Sequence, residues 1–108
     1  MKVLLKKSEA AEPFTFNFVD NGGKVIVKSE NYAQKASAKN GIESVKKNSK
    51  FDERYELKSA KNGKFFFNLK ATNGQIVATS MFFATESDRA KAIELLKAEA
   101  QDAPVEEV

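Results

Sequence analysis

Phe14–Phe18 reads F-T-F-N-F, apolar and polar by turns, the period of a strand with one buried face. Asn21-Gly22-Gly23 then supplies residues that tolerate positive φ, as a tight hairpin requires, and Val25–Ser29 returns as the next strand. Lys2–Lys7 forms an earlier short strand, set apart by the polar stretch Ser8–Pro13. The plan recurs downstream. Glu53–Ala60, Phe65–Leu69 and Ile76–Ser80 are expected strands, joined by turns at Lys61-Asn62-Gly63 and Asn73-Gly74. After each set of three the apolar spacing widens to that of a helix. Arg89, Ile93, Leu96 and Ala100 fall on one face, widened by Ala92 and Leu95, behind a capping-box-like Thr85-Glu86-Ser87-Asp88. Ala38, Ile42, Val45 and Ser49 mark the corresponding helix over Lys35–Asn48. In the acidic tail, Ala103–Val108 either adds a short edge strand, the favoured reading, or has no regular structure.

Turn length decides which residues share a face. A three-residue Lys61-Asn62-Gly63 loop with Gly63 left-handed puts Tyr55 and Leu57 beside Phe65, Phe67 and Leu69. A two-residue Asn62-Gly63 turn would oppose them, so the apolar pattern favours the longer loop. Val25, Ile26 and Val27 are all apolar, and the pattern leaves their inward face open.

These matching plans are one segment written twice. After a shift of 51 residues Phe14–Ser49 lies on Phe65–Ala100 without a gap, with nine identities that include Phe16/Phe67, Asn17/Asn68 and Ser29/Ser80. A duplication fixes architecture before any single residue is read. It overrides the local reading of Asn40-Gly41 as a turn, because Lys91-Ala92 lies there in mid-helix in the second copy. A mid-helix glycine costs about 1 kcal/mol relative to alanine, so Gly41 is expected to offset that by close packing of helix on sheet. One unit alone leaves an apolar sheet face under a single helix. Two units sharing a sheet, with both helices on one face, bury a common core. The expected fold class is α+β: one domain with a mainly antiparallel sheet of six or seven strands, its repeats spanning residues 1–51 and 52–108.

Composition narrows the chemistry. The 108 residues are 42% hydrophobic and 31% charged, an ordinary globular balance. The absence of Cys excludes a disulfide framework and a thiolate metal site, and the absence of His removes the commonest general base. No glycine spacing matches a phosphate-binding loop, and no Asp-x-Asp-x-Asp run suggests a calcium loop. The expectation is a non-enzymatic protein with no cofactor and no metal. The apolar run Val3–Leu5 is far shorter than the roughly 7–15 residues of an export signal. No stretch approaches the roughly 20 apolar residues of a membrane span, so a cytoplasmic location without membrane contact is expected.

The first copy, FTFNFVDNGGKVIVKSENY over Phe14–Tyr32 followed by KASAKNGIESVKKN over Lys35–Asn48, resembles the YegP-like family of small, mostly bacterial proteins. The resemblance covers nearly the whole chain. It implies β-β-β-α-β units joined in one sheet with terminal strands exchanged between them, and it implies no activity. The second copy departs from the pattern: Met81-Phe82-Phe83 stands where E-x-Y would be expected, and Ala92-Ile93-Glu94-Leu95-Leu96 replaces G-I-E-S-V.

Three candidate surfaces follow. Ser29, Glu30, Tyr32, Gly41, Ser44 and Asn48 become Ser80, Met81, Phe83, Ala92, Leu95 and Glu99 in the second copy. A structural reading has Ser29 and Glu30 capping the strand-to-helix turn, Tyr32 packing like Phe83 and Asn48 ending its helix. A functional reading makes the polar set a binding site kept in one copy. Second, the net charge of +3 is uneven: residues 1–51 carry ten Lys against five acids, and residues 52–108 carry eight basic against ten acidic groups. Lys35, Lys39, Lys46 and Lys50 form a stripe on the first helix, with Lys47 beside it, able to neutralise phosphates without reading sequence. Arg, the preferred residue for reading bases, occurs only at positions 54 and 89. Third, Thr15, Asn17, Phe66 and Asn68 point to the sheet face away from the helices. Phe66 is large and apolar for such a face, which often marks a partner surface. A protein-interaction or ligand-binding module, self-association included, is the leading expectation, and a weak nonspecific nucleic-acid binder is the alternative.

Overall fold

The computed structural model describes residues 1–108. In chain order it contains β1 (Lys2–Lys7), β2 (Phe14–Val19), β3 (Val25–Lys28), α1 (Lys35–Asn48), β4 (Tyr55–Ser59), β5 (Phe65–Lys70), β6 (Ile76–Ser80), α2 (Glu86–Glu99) and β7 (Val105–Glu107). The strands make one sheet in the order β4-β5-β6-β3-β2-β1-β7. Every pairing is antiparallel except the parallel contact of β7 with β1. The repeats meet at β3 and β6 through Val27↔Ser80 and Lys28↔Thr79. β4, which follows α1, lies on the second repeat's β5, while β7, which follows α2, returns to the first repeat's β1. The strand exchange implied by the family resemblance is therefore present.

Both helices cover the same face. Ala38, Ile42 and Val45 of α1 share one core cluster with Ala92 and Leu96 of α2, built on Phe16, Phe18, Phe67 and Leu69 of the sheet. The Thr85 hydroxyl caps α2 by accepting the Asp88 N–H at 3.0 Å. At the start of α1, Gln34 makes no equivalent side-chain bond.

The β4–β5 connection is a three-residue loop. Ala60 N–H donates to the Lys64 carbonyl at 2.8 Å, and Gly63 takes φ +80°, a conformation that a side chain would strain. Tyr55 then pairs with Leu69 and Leu57 with Phe67, on one face as the apolar pattern requires. The strand starts later than the expected Glu53. Asp52–Arg54 close a 3-10 turn in which Arg54 N–H donates to the Phe51 carbonyl at 3.1 Å, so extended backbone begins at Tyr55.

The open question over Val25–Val27 has a physical answer. Val27 pairs with Phe18, but Val25 pairs with Val19, so a bulge inserts Ile26 as an extra residue. Ile26 and Val27 consequently both join the core, at 4% and 0% exposure. The second copy bulges in the same place, between Leu69 and Lys70.

The tail is an ordered strand. Val3 N–H donates to the Pro104 carbonyl at 2.8 Å, and Val108 N–H to the Leu5 carbonyl at 2.9 Å. Lys2 pairs with Glu106 at 2.9 Å, and Lys35 pairs with Glu107. No strand stands in the matching place beside β4. Leu5 opposes Phe16 as Leu57 opposes Phe67, yet Leu5 is 3% exposed and Leu57 57%.

At the junction of the repeats Tyr55 donates its hydroxyl to the Ser49 carbonyl at 2.6 Å and sets its ring edge-on to Phe67. Burial, with the nearby carboxylates of Asp52 and Glu94, pushes the Tyr55 pKa well above its ordinary value of 10.0. The neutral phenol is thus favoured by folding, and its contribution is complete below pH 10 and lost as pH rises beyond it. Tyr55→Phe is expected to cost about 1 kcal/mol at neutral pH. The same variant should flatten the alkaline fall in the urea midpoint, and a fall as steep as in the parent would show that another group causes it.

Candidate functional site

At the strand-to-helix corners the two repeats exchange polar for apolar residues, Glu30 and Asn31 for Met81 and Phe82. In the first, the Ser29 hydroxyl accepts the Phe16 N–H at 2.9 Å and donates to the Glu30 carbonyl at 2.7 Å. Ser80 repeats both bonds with Phe67 and Met81, at 2.9 and 2.8 Å. Tyr32 exchanges backbone bonds with Phe14 and stacks on Phe16 at 6.3 Å, as Phe83 exchanges them with Phe65 and stacks on Phe67 at 6.3 Å. Asn48 is buried, donates to the Ser44 carbonyl at 2.8 Å and hydroxyl at 3.2 Å, and accepts from Arg54 Nε at 3.1 Å. Ser29, Tyr32, Ser44 and Asn48 all have structural partners. Glu30 is exposed and caps nothing through its carboxylate. Burial, and secondarily the Glu30 charge, raises the Tyr32 pKa.

Gly41 belongs to this corner. A Cβ there would stand 2.6 Å from the Tyr32 hydroxyl oxygen and 3.0 Å from a Phe16 ring carbon. The second repeat has Ala92 in that place, and its neighbour Phe83 has no hydroxyl. The close packing expected of Gly41 therefore accommodates the hydroxyl end of Tyr32 and the edge of the Phe16 ring.

The second corner is apolar and open. Ile26, Phe83, Ala92 and Leu95 line a hollow of about 430 Å³ beside Phe82, with Asp20, Lys24, Asp88 and Lys91 also lining it. Phe82 is 58% exposed and Met81 38%. The Phe82 ring meets Phe66 edge-on, with centroids 5.4 Å apart. The first-repeat counterparts of Phe66, Met81 and Phe82 are Thr15, Glu30 and Asn31, all polar. The copies do differ at a corner, and the side that presents apolar groups to solvent is the second. The departure at Met81-Phe82-Phe83 carried this signal, because an apolar residue in a short strand-to-helix turn has little core to enter.

Elsewhere on the open face the repeated asparagine does not have a repeated role. Asn68 donates to Glu56 at 3.0 Å and accepts from the Thr79 hydroxyl at 2.9 Å. Lys70 also bonds Glu56 at 2.9 Å, and the bonds from Asn68 and Lys70 hold the Glu56 carboxyl below its ordinary range. Asn17 has Leu4 and Lys28 where Asn68 has Glu56 and Thr79, so it cannot build that network.

The basic stripe is partly neutralised. Lys35 bonds Glu107 and holds that carboxyl below its ordinary range, with a weaker contribution from Lys39. Lys46, Lys47 and Lys50 line a polar hollow of about 300 Å³ with Glu43 and Gln101. No cluster of three or more acidic groups is arranged to hold a metal ion, and no helix is long and apolar enough to cross a membrane.

The comparisons with known proteins agree with this architecture. A domain of unknown function, DUF1508, matches twice, over residues 10–56 and 60–107. A UPF0339 protein from the ptx operon 5′ region of Stutzerimonas stutzeri is 48% identical over 101 residues, covering 94% of this chain and 91% of its own. The UPF0339 protein YegP of Escherichia coli K12 is 48% identical over 85 residues, covering 79% and 77%. The solution NMR structure of YegP from E. coli superposes with a TM-score of 0.90 at 42% identity, covering 98% of this chain and 90% of that one. The solution NMR structure of the UPF0339 protein SO3888 from Shewanella oneidensis also gives 0.90, at 37% identity, covering 98% and 89%. Two matched copies of one domain in a single sheet, and relatives aligned over most of both chains, show that this chain belongs to the DUF1508 family.

Proposed function

We propose that this protein acts by binding rather than by catalysis, as a protein-interaction module that uses the apolar corner of its second repeat. The observation that carries the proposal is the exposure of Met81 and Phe82, with the Phe82 ring set edge-on to Phe66, at positions that are polar in the first repeat. A large aromatic beside an apolar hollow, with charged groups of both signs around it, has the composition of a contact centre with a polar rim. The ligand it fits is an apolar side chain presented by a partner protein.

A photocrosslinking phenylalanine analogue at position 82 tests this in cells. The expected result is a discrete adduct, diminished by excess unlabelled protein but not by its Phe82→Asn variant, which restores the polarity of Asn31. No adduct, or one that both competitors reduce equally, would sink the proposal. The nucleic-acid reading is second. Lys46, Lys47 and Lys50 support it, while Glu106 and Glu107 beside Lys2 and Lys35 weaken it.

A further inference from the structure

The exposed edge of β4 is complementary to itself. Phe65 and Phe67 direct their N–H groups toward β6, to the Phe83 carbonyl and the Ser80 hydroxyl. Phe66 and Asn68 therefore bond toward β4, and their partners Lys58 and Glu56 bond inward. Leu57 and Ser59 are left with N–H and carbonyl groups facing outward, where no strand stands, and Tyr55 with its carbonyl, its N–H closing the 3-10 turn on the Asp52 carbonyl. In the first repeat the matching groups of Val3 and Leu5 are taken up by β7.

We propose that β4 pairs antiparallel with β4 of a second copy, about a two-fold axis through Leu57, to extend the sheet across two molecules. The strand reads Tyr55-Glu56-Leu57-Lys58-Ser59. Antiparallel pairing about Leu57 places Glu56, whose carboxylate Asn68 and Lys70 hold on the same sheet face, opposite the second copy's Lys58, and Lys58 opposite the second copy's Glu56. Opposite charges directly across a pair favour it. A parallel pairing in register would instead set Glu56 on Glu56 and Lys58 on Lys58. At the flanks Asp52, Glu53 and Arg54 precede the strand, with Asp52 paired to Lys97 in its own chain, and Lys61 and Lys64 follow it, so the antiparallel arrangement turns the end that holds Glu53 toward the basic end. Leu57, 57% exposed, meets its symmetry mate at the centre. The opposite edge of the sheet offers no such match, since β7 is only Val105-Glu106-Glu107 and carries no basic residue to meet its own acids across a two-fold axis. This contact is separate from the Phe66–Phe82 corner and stands without it.

The chain contains no cysteine, so one introduced thiol reports the geometry cleanly. Leu57→Cys puts the two thiols on the axis, with Cα atoms about 5.5 Å apart, within disulfide reach. Ser59→Cys puts its thiols about 14 Å apart, beyond reach. Under oxidised glutathione the first variant is expected to form a covalent dimer at least tenfold faster than the second, and Lys58→Glu should slow it by placing Glu opposite Glu. Sedimentation of the unmodified protein should show a dimer growing with concentration, and Phe82→Asn should leave it unchanged. Equal oxidation at positions 57 and 59, no slowing by Lys58→Glu, or a strict monomer up to about 1 mM would overturn the proposal.

Discussion

Removal of Pro104–Val108 is expected to lower the stability of the fold by about 3 kcal/mol, although every residue of β7 is exposed. The loss comes from what the strand covers. Without it Val3 N–H and the Leu5 carbonyl lose their partners at Pro104 and Val108, and β1 becomes an edge. The second repeat shows the state that results: Leu57, the counterpart of Leu5, is 57% exposed beside an empty edge, against 3% for Leu5. Urea unfolding gives the magnitude, and amide exchange at Val3 and Leu5 gives the location. An unchanged midpoint would mean that β7 rests on a finished edge without supporting it.

Gly41→Ala is expected to destabilise the protein by about 1–2 kcal/mol, even though alanine favours the helix by about 1 kcal/mol. The introduced methyl would lie 2.6 Å from the Tyr32 hydroxyl, on a ring held against Phe16, so it cannot be relieved by rotating a flexible chain. Adding Tyr32→Phe removes that oxygen and reproduces the Phe83–Ala92 arrangement of the second repeat. The double variant should then recover most of the loss, the helix propensity being opposed only by the remaining contacts at 3.0 Å to the Phe16 ring and 3.1 Å to the carbon that bore the hydroxyl. A double-mutant cycle in urea measures the coupling directly. Strict additivity, or a stabilising Gly41→Ala on its own, would mean that ring and helix move apart without cost.

That pair also shows what the chain discloses before any coordinates. Tyr32 with Gly41, and Phe83 with Ala92, are two changes between the copies that form one physical unit, and they could have been read as such. The α1 boundaries, the three-residue loop ending at Gly63 and the common face of both helices follow from periodicity and the duplication. The bulge at Ile26 does not, because an inserted residue breaks the period-two pattern on which strand reading depends. Nor does the 3-10 turn at Asp52–Arg54, whose residues read equally well as the start of a strand. The corner shows the same division. Met81-Phe82-Phe83 was visible as a departure, but the exposure of Phe82 depends on the turn geometry. The pairing of Lys35 with Glu107 depends on an acidic tail crossing the sheet to reach the basic repeat, which charge counts along the chain cannot reveal.

Val3 pairs with Val105, so the outer edge of β1 is covered by a strand about a hundred residues further along the chain. Closing so long a loop costs little at equilibrium, because the entropy grows only with the logarithm of its length, but such contacts form late. Until β7 docks, β1 is an uncovered edge, and it carries Lys2, Lys6 and Lys7 within its own six residues. Those charges discourage pairing with other chains until the acidic β7 covers it.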